Sequence, residues 1–313
     1  MKKIFIDGRE GTTGLQIEDR LAKRSDIEMI SIDESLRKDP AARSKCINES
    51  DVTFLCLPDD AARESVSLCN NLDTIIIDAS TAHRTSPEFA YGFPELSVKF
   101  REKIKNSKRI AVPGCHASGF ISLVYPLVKE GLIEPSYPLS SFSVSGYSGA
   151  GKKMIVKYQD PERSPSFDSP RQYALGQTHK HLPEMTAVCG LENPPLFSPL
   201  ICDYYAGMAV SVPIYSRLMK KKMSLTELHN FYKEYYSDTR FLKVVETMGS
   251  DVLTDGFLEA NTLIGTNNMQ LFICGNDERI LLCSRFDNLG KGASGAAVQC
   301  MNIALGLAED TGL

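Results

Sequence analysis

Residues 112–120 read VPGCHASGF. Cys115 follows an apolar, strand-like run, RIAV, and precedes an apolar, helix-like run, FISLVYPLV. It is therefore expected at a helix N-terminus, where the macrodipole and the unsatisfied N–H groups stabilise a thiolate. Gly114 on one side and Ala117-Ser118-Gly119 on the other leave room for a substrate, a clearance that a structural thiol does not need. The chemistry suggested is nucleophilic attack by sulfur, which requires an acid or base within reach. THKHLPE (178–184) offers His179 and His181. In an extended segment residues i and i+2 share a face, as zinc ligands sometimes do, and Glu184 lies close in sequence. No further ligand cluster is visible, so the expectation is a catalytic imidazole and no metal. His116 adjoins the cysteine, but neighbours on a turn usually diverge, and a backbone or packing role is expected for it. His229 reads as part of a helix face and His83 as a loop residue.

Other stretches suit anions. GREGTTG (8–14) places Gly8, Gly11 and Gly14 after a strand-like run and before a helix-like one. Such glycines let a phosphate approach backbone N–H groups at a helix N-terminus, so Gly8, Gly11, Thr12, Thr13 and Gly14 are candidate dinucleotide contacts. Asp33, 19 residues after Gly14, is placed to take a ribose 2′-hydroxyl and favours NAD. Arg37 and Lys38 follow closely, could hold a 2′-phosphate, and favour NADP. The residues alone leave that choice open. SGYSGAGKK (145–153) combines small residues with two lysines, which suits a carboxylate or phosphate, or equally a flexible loop with solvated lysines. LGKGASGAA (289–297) repeats the theme ahead of the last helix.

These residues need a scaffold. The first ~130 residues alternate short β-branched runs with helical ones, a βαβα order that implies a parallel sheet with helices on both faces. The strand-like runs are KIFID (3–7), IEMISID (27–33), DVTFLCLP (51–58), TIIIDAS (74–80) and RIAVPG (109–114). After about residue 135 strands dominate, at 139–146, 207–215, 269–275 and 279–287, with a helix over 226–236. That pattern implies a second α+β domain with a mixed or antiparallel sheet. QDPERSPSFDSPRQ (159–172) reads as an exposed loop, and the last helix as Ser294 to Glu309. The expected domains are 1–117 with 288–313, and 118–287.

The chain has 313 residues, 42% hydrophobic and 24% charged, with a formal net charge of −4. A core of that size needs no disulfide or metal staple. No long basic stretch favours nucleic acid or an anionic membrane. No apolar run approaches the ~20 residues that span a bilayer, and IFI is too short for a signal-peptide core, so a cytoplasmic protein is expected. The 9 cysteines form no CxxC pair; apart from Cys115 they read as small buried hydrophobes.

Together IFIDGREGTTG, IDASTAHRT, YGFPEL, PGCHASG, SGYSGAGKK, HKHLPE and LGKGASGAAVQCMN resemble the N-acetyl-γ-glutamyl-phosphate reductases of arginine biosynthesis, in particular the shorter class of that family. The resemblance spans residues 4 to about 302. It implies an NADP(H)-dependent, phosphorylating aldehyde dehydrogenase with a Rossmann-type domain and a second, catalytic and dimerisation domain, related to aspartate-semialdehyde dehydrogenase. It implies Cys115 as nucleophile and one histidine of the HKH run as acid/base, His179 ahead of His181. It also implies substrate contacts at Ser148, Gly149 and Lys152, joined by Arg84 and Glu184, and a loop at Gly290 and Gly292 beside the nicotinamide. The small-molecule substrate is an acyl phosphate, and an apolar second-domain sheet is consistent with a homodimer or homotetramer. The long class has a tyrosine after the catalytic cysteine, where this chain has His116. Rival readings are reduction of an aspartyl phosphate by the same thioester route, a non-catalytic NADP-binding protein, and a His-x-His metal hydrolase.

Overall fold

A computed structural model describes residues 1–246 and 252–313. It forms two units, Met1–Gly114 with Ala293–Leu313, and Cys115–Gly292.

In the first unit β1 (Lys2–Asp7), α1 (Thr12–Leu21), β2 (Ile27–Ile30), α2 (Pro40–Glu49), β3 (Val52–Leu55), α3 (Asp59–Leu68), β4 (Ile75–Asp78), β5 (Ala90–Tyr91), α4 (Val98–Asn106) and β6 (Arg109–Ala111) follow in order. The sheet runs β2-β1-β3-β4-β6-β5 and its pairings are parallel. Side chains alternate across a strand, so β1 sends Ile4 and Ile6 into one apolar layer and Phe5 into the other. Phe54 and Leu55 on β3, and Ile77 and Ile76 on β4, divide in the same way. Strands covered on both faces need such continuous apolar runs. Chain order reverses between β1 and β3, and ligands of such sheets lie beyond the carboxyl ends of the strands at that point.

Two local features depart from the sequence reading. The run 27–33 is a strand only to Ile30. Asp33 caps a 3₁₀ turn, Glu34–Leu36, by accepting from the Ser35 N–H at 2.8 Å, a local bond that competes with strand pairing. α2 lacks apolar periodicity, and its signal is instead Asp39 capping the first turn and Pro40 in first position.

The second unit contains α5 (Cys115–Lys129), β7 (Ser140–Gly146), α6 (Lys152–Gln159), β8 (Arg171–Gln172), α7 (Leu182–Cys189), β9 (Leu196–Cys202), β10 (Met208–Tyr215), α8 (Leu225–Tyr235), β11 (Leu242–Val244), β12 (Met269–Gly275) and β13 (Arg279–Phe286). Its sheet, β11-β12-β13-β10-β7-β9-β8, is mixed: β7 with β9 and β11 with β12 are parallel, and the other pairs are antiparallel. α5 lies on β10 and β13, and α8 on β12. A Cβ at Gly119 would stand 2.4 Å from Val210 Cγ2, so that glycine permits the close approach of α5 to β10. The stretch 159–172 is more ordered than a loop. Arg163 donates to Asp203 at 2.8 Å and to Asp168 at 2.7 Å, and the chain forms a 3₁₀ turn, Pro165–Phe167, and then β8.

A π-helical turn, Gly290–Ser294, leads to α9 (Gly295–Ala304). Ala297, Cys300 and Met301 of α9 join the layer that holds Ile4, Ile6 and Phe54. The helix stops well before Glu309, and Gly306 takes a φ of 71°, a left-handed conformation common just past helix ends. Among the described residues no helix is long and apolar enough to cross a membrane.

Candidate active site

Cys115 is the first residue of α5, and no acidic side chain occupies the first turn of that helix. The thiol therefore stands where the helix dipole favours an anion, with nothing nearby on the helix to oppose it. It is half-buried. The loop before α9 closes on it: a Cβ at Gly292 would lie 2.9 Å from Cys115 Cβ. Gly290 is as tightly placed, since a Cβ there would meet the Thr266 carbonyl at 2.1 Å. Asp287 shapes this loop by accepting from the Gly265 and Leu289 N–H groups at 2.8 and 3.0 Å.

Three histidines of unit two, His116, His179 and His181, converge, while His229 on α8 donates to the Val245 carbonyl instead. His179 and His181 do not lie on a strand; His181 has helical backbone angles and precedes α7, because Leu182-Pro183 starts a helix there. The His181 N–H donates to His179 Nδ1 at 3.1 Å, and the two rings stand perpendicular with centroids 4.7 Å apart. The His116 ring lies 5.6 Å from each. His116 does more than pack: its Nδ1 is 2.6 Å from Ser143 Oγ and its Nε2 is 2.6 Å from the Tyr173 hydroxyl. Burial, and secondarily His179, push its pKa down to about 3, so it is neutral. Burial, and then the charge of Cys115, push the Tyr173 phenol up, so it keeps its proton. Phe197 seals the cluster at 5.3 Å from His116 and 5.1 Å from His179. His181 and Glu184 are buried. Sequence reading missed Tyr173 and Ser143. The available signal was the serine at every second position of β7, Ser141, Ser143 and Ser145, all of them buried.

Ser148 and Gly149 lie in a 3₁₀ turn, Tyr147–Ala150, ahead of α6. Ser148 is buried and accepts from Asn288 Nδ2 at 3.1 Å, while Asn288 Oδ1 accepts from the Gly207 N–H at 2.7 Å. Asn288, which the sequence did not single out, thereby ties together the segments at 148, 207 and 288. A Cβ at Gly149 would stand 2.9 Å from Asn288 Nδ2. Lys152 is exposed in the first turn of α6.

Unit one holds the remaining candidates. Gly8 has a φ of 88°, and a Cβ there would meet the Cys56 carbonyl at 2.4 Å. The loops after β1 and β3 thus touch at the point where chain order reverses. A Cβ on Gly14 would be 2.7 Å from the Gly8 carbonyl. α1 begins at Thr12, and no side chain caps it. This is a backbone cradle at a helix N-terminus, and it fits a dinucleotide pyrophosphate. Burial, then Asp78 and Asp7, raise the Cys56 pKa to about 12, so the thiol at the end of β3 stays protonated. Arg37 and Lys38 are exposed on the turn after β2, and Arg37 lies 3.8 Å from Glu34. Arg84 donates to the Val112 and Ala79 carbonyls at 2.9 and 3.1 Å, pinning the loop after β4 to the end of β6. In the same loop His83 Nδ1 is 2.7 Å from the buried Asp78 carboxylate. Among the described residues no group of three or more His, Cys, Asp or Glu could hold a metal ion.

Residues 3–107 match the semialdehyde dehydrogenase NAD binding domain and residues 115–288 the semialdehyde dehydrogenase dimerisation domain. The chain is 47% identical to N-acetyl-γ-glutamyl-phosphate reductase 2 of Nostoc sp., over 99% of each chain. It is 41% identical to N-acetyl-γ-glutamyl-phosphate reductase 2 of Pseudomonas putida, over 99% of this chain and 98% of that one. Among solved structures it resembles aspartate semialdehyde dehydrogenase II of Vibrio cholerae, with a TM-score of 0.71 at 13% identity over 97% of this chain and 98% of that chain. The Francisella tularensis aspartate semialdehyde dehydrogenase gives a TM-score of 0.71 at 14% identity, over 97% and 99%. At those identities the likeness concerns the fold alone.

Proposed function

The chain belongs to the N-acetyl-γ-glutamyl-phosphate reductases, within the semialdehyde dehydrogenases, and we propose that it works through a thioester on Cys115. It reduces N-acetyl-γ-glutamyl phosphate with NADPH, giving N-acetyl-glutamate 5-semialdehyde and phosphate, in arginine biosynthesis. The observation that carries the mechanism is the thiol at the start of α5, with the imidazole cluster beside it and Gly292 against it.

The Cys115 sulfur attacks the acyl carbon, the bond from that carbon to the phosphate oxygen breaks, and phosphate leaves. Sulfur suits the task because the resulting thioester stays electrophilic. When bound, NADPH supplies the hydride that reduces this thioester. Backbone N–H groups at the start of α5 stabilise the oxyanion of the resulting thiohemiacetal. Breaking its carbon–sulfur bond frees the aldehyde and restores the Cys115 thiolate. The bond from the His181 N–H requires a lone pair on His179 Nδ1, so neutral His179 carries its proton on Nε2 and acts as a donor. His179 and His181 are the two candidate acid/base imidazoles of this step, His179 as the donor.

Gly8, Gly11, Thr12, Thr13 and Gly14 would hold the cofactor pyrophosphate, and Arg37 and Lys38 the 2′-phosphate. Asp33 offers little opposition, because its carboxylate is engaged by the N–H and hydroxyl of Ser35. Ser148, Gly149, Lys152, Arg84 and Glu184 remain the proposed substrate contacts, and Gly290 and Gly292 the loop beside the nicotinamide. The protein acts in the cytoplasm as a homodimer or homotetramer, with the 115–288 region forming the contact.

The test is the reverse reaction, with N-acetyl-glutamate semialdehyde, NADP⁺ and phosphate followed at 340 nm and aspartate semialdehyde in parallel. NADPH formation should require phosphate, favour the N-acetylated aldehyde and vanish in Cys115→Ser. A fully active Cys115→Ser protein would overturn the thioester.

A further inference from the structure

We propose that His116 is a positioning residue of this reaction, a neutral bridge that aims the Tyr173 hydroxyl at the Cys115 sulfur. The proposal rests on the reading of Cys115 as nucleophile. His116 is 4% exposed and sits one residue along α5 from the thiol. A buried imidazole must satisfy both nitrogens. Here Ser143 of β7 takes one and Tyr173, just after β8, takes the other, each at 2.6 Å. These partners are 27 and 57 residues away, so a single ring joins α5, β7 and the chain leaving β8.

The direction of the chain of bonds follows from electrostatics. A neutral imidazole has one N–H and one lone pair. If Tyr173 donated to Nε2, its oxygen would turn only lone pairs toward a neighbouring thiolate, which is repulsive. In the other arrangement Ser143 donates to Nδ1, Nε2–H donates to the Tyr173 oxygen, and the phenolic proton is left to point at the sulfur or at the developing oxyanion. The Tyr173 hydroxyl is one 2.6 Å hydrogen bond from the ring of His116, the residue that follows Cys115 on α5, and burial keeps its proton in place. The titratable groups against the His116 ring are Tyr173, His179 and His181; Phe197 closes the remaining side, and α7 contributes the buried Glu184. His179 meets the ring edge-on, so His116 also fixes the plane of that imidazole. His116 itself transfers no proton near neutral pH, since burial keeps it neutral.

Substitutions separate the two nitrogens. Glutamine can place an amide N–H near the position of Nε2, and asparagine one near Nδ1. The full-length proteins His116→Gln, His116→Asn, His116→Phe and Tyr173→Phe are alkylated with iodoacetamide across pH, and modification of the Cys115 peptide is followed by mass spectrometry. The alkylation midpoint should rise by about one pH unit in Tyr173→Phe, His116→Phe and His116→Asn, because the thiolate loses a donor. It should stay near the wild-type value in His116→Gln. In the reductase assay kcat should fall about tenfold or more in the first three, with the KM for NADPH little changed. Unaltered midpoints in Tyr173→Phe and His116→Phe would overturn the proposal, as would rescue by asparagine but not glutamine. Should His116→Phe not fold, Tyr173→Phe decides alone. Alkylation needs no turnover, so these outcomes are independent of whether Cys115→Ser retains activity, which tests the thioester itself.

Discussion

An imidazole that is neutral and buried in the folded chain takes up a proton when the chain unfolds. His116 does so with a native pKa lowered from 6.5 to about 3. Its contribution to stability is complete above pH ~6.5 and is lost as pH falls from there toward ~3, because in that window the unfolded chain binds the extra proton. The whole span is worth on the order of 5 kcal/mol. The urea midpoint of the wild type should therefore drop between about pH 7 and about pH 4.5, and that of His116→Gln should drop less. Equal slopes would mean that water reaches the ring. At this scale the sequence was informative about Cys115, whose flanking runs are local signals for a strand end and a helix start. It was misleading about His116. Successive residues on a helix point about 100° apart, which suggests divergence from the thiol. Its partners, Ser143 on β7 and Tyr173 just after β8, are brought to it by sheet pairing that no local pattern records. The same holds for Asn288, whose bonds reach Ser148 and Gly207.

The glycine loop after β1 is held from behind by an element that the sequence did not reveal. Asp7, the last residue of β1, is buried and paired with Arg43 of α2 at 3.1 Å. Ser65 of α3 donates to the same carboxylate oxygen at 2.7 Å, and Arg43 also donates to Glu64 at 2.5 Å. A buried pair is costly to break from one side, because the remaining charge has lost its compensation. Arg43→Met should cost about 3–5 kcal/mol in urea unfolding and weaken NADPH binding. The double variant Asp7→Leu, Arg43→Met should recover much of the stability, since no charge is stranded. A single-variant loss under about 1 kcal/mol would instead group this pair with ordinary surface pairs. GREGTTG was legible as a strand-to-helix turn because its glycines fall between an apolar run and a helix-like one. Its support was not, because α2 carries no apolar stripe and Arg43 reads as a surface residue until the sheet order brings α2 and α3 to one face.

At the scale of the molecule, the change from βαβα order to strand-dominated chain was enough to read two kinds of sheet. Which face of the second sheet is covered was not readable. SSFSVSG alternates as a half-buried strand should, and the usual reading puts Phe142 inside. The opposite face is the covered one: Ser141, Ser143 and Ser145 are buried, Ser143 against His116 of α5, while Phe142 is 50% exposed. Register extends the exposed face, with Leu281 beside Pro213 and Tyr215 one step further along β10. Leu281 is 40% and Tyr215 48% exposed. An apolar sheet face of this kind is expected to be covered by a partner. The 115–288 match to a dimerisation domain favours a second copy of the chain as that partner, through a two-fold contact in which the same patch meets itself. Replacing Phe142 and Leu281 by aspartate sets like charges against each other across such an interface. If the proposed homodimer or homotetramer uses this face, sedimentation should then shift from the oligomer to a monomer, with the far-UV spectrum preserved. An unchanged sedimentation coefficient would move the contact off this face, to the edge at β8 or β11, and would leave the buried serines of β7 as a device of the active site alone.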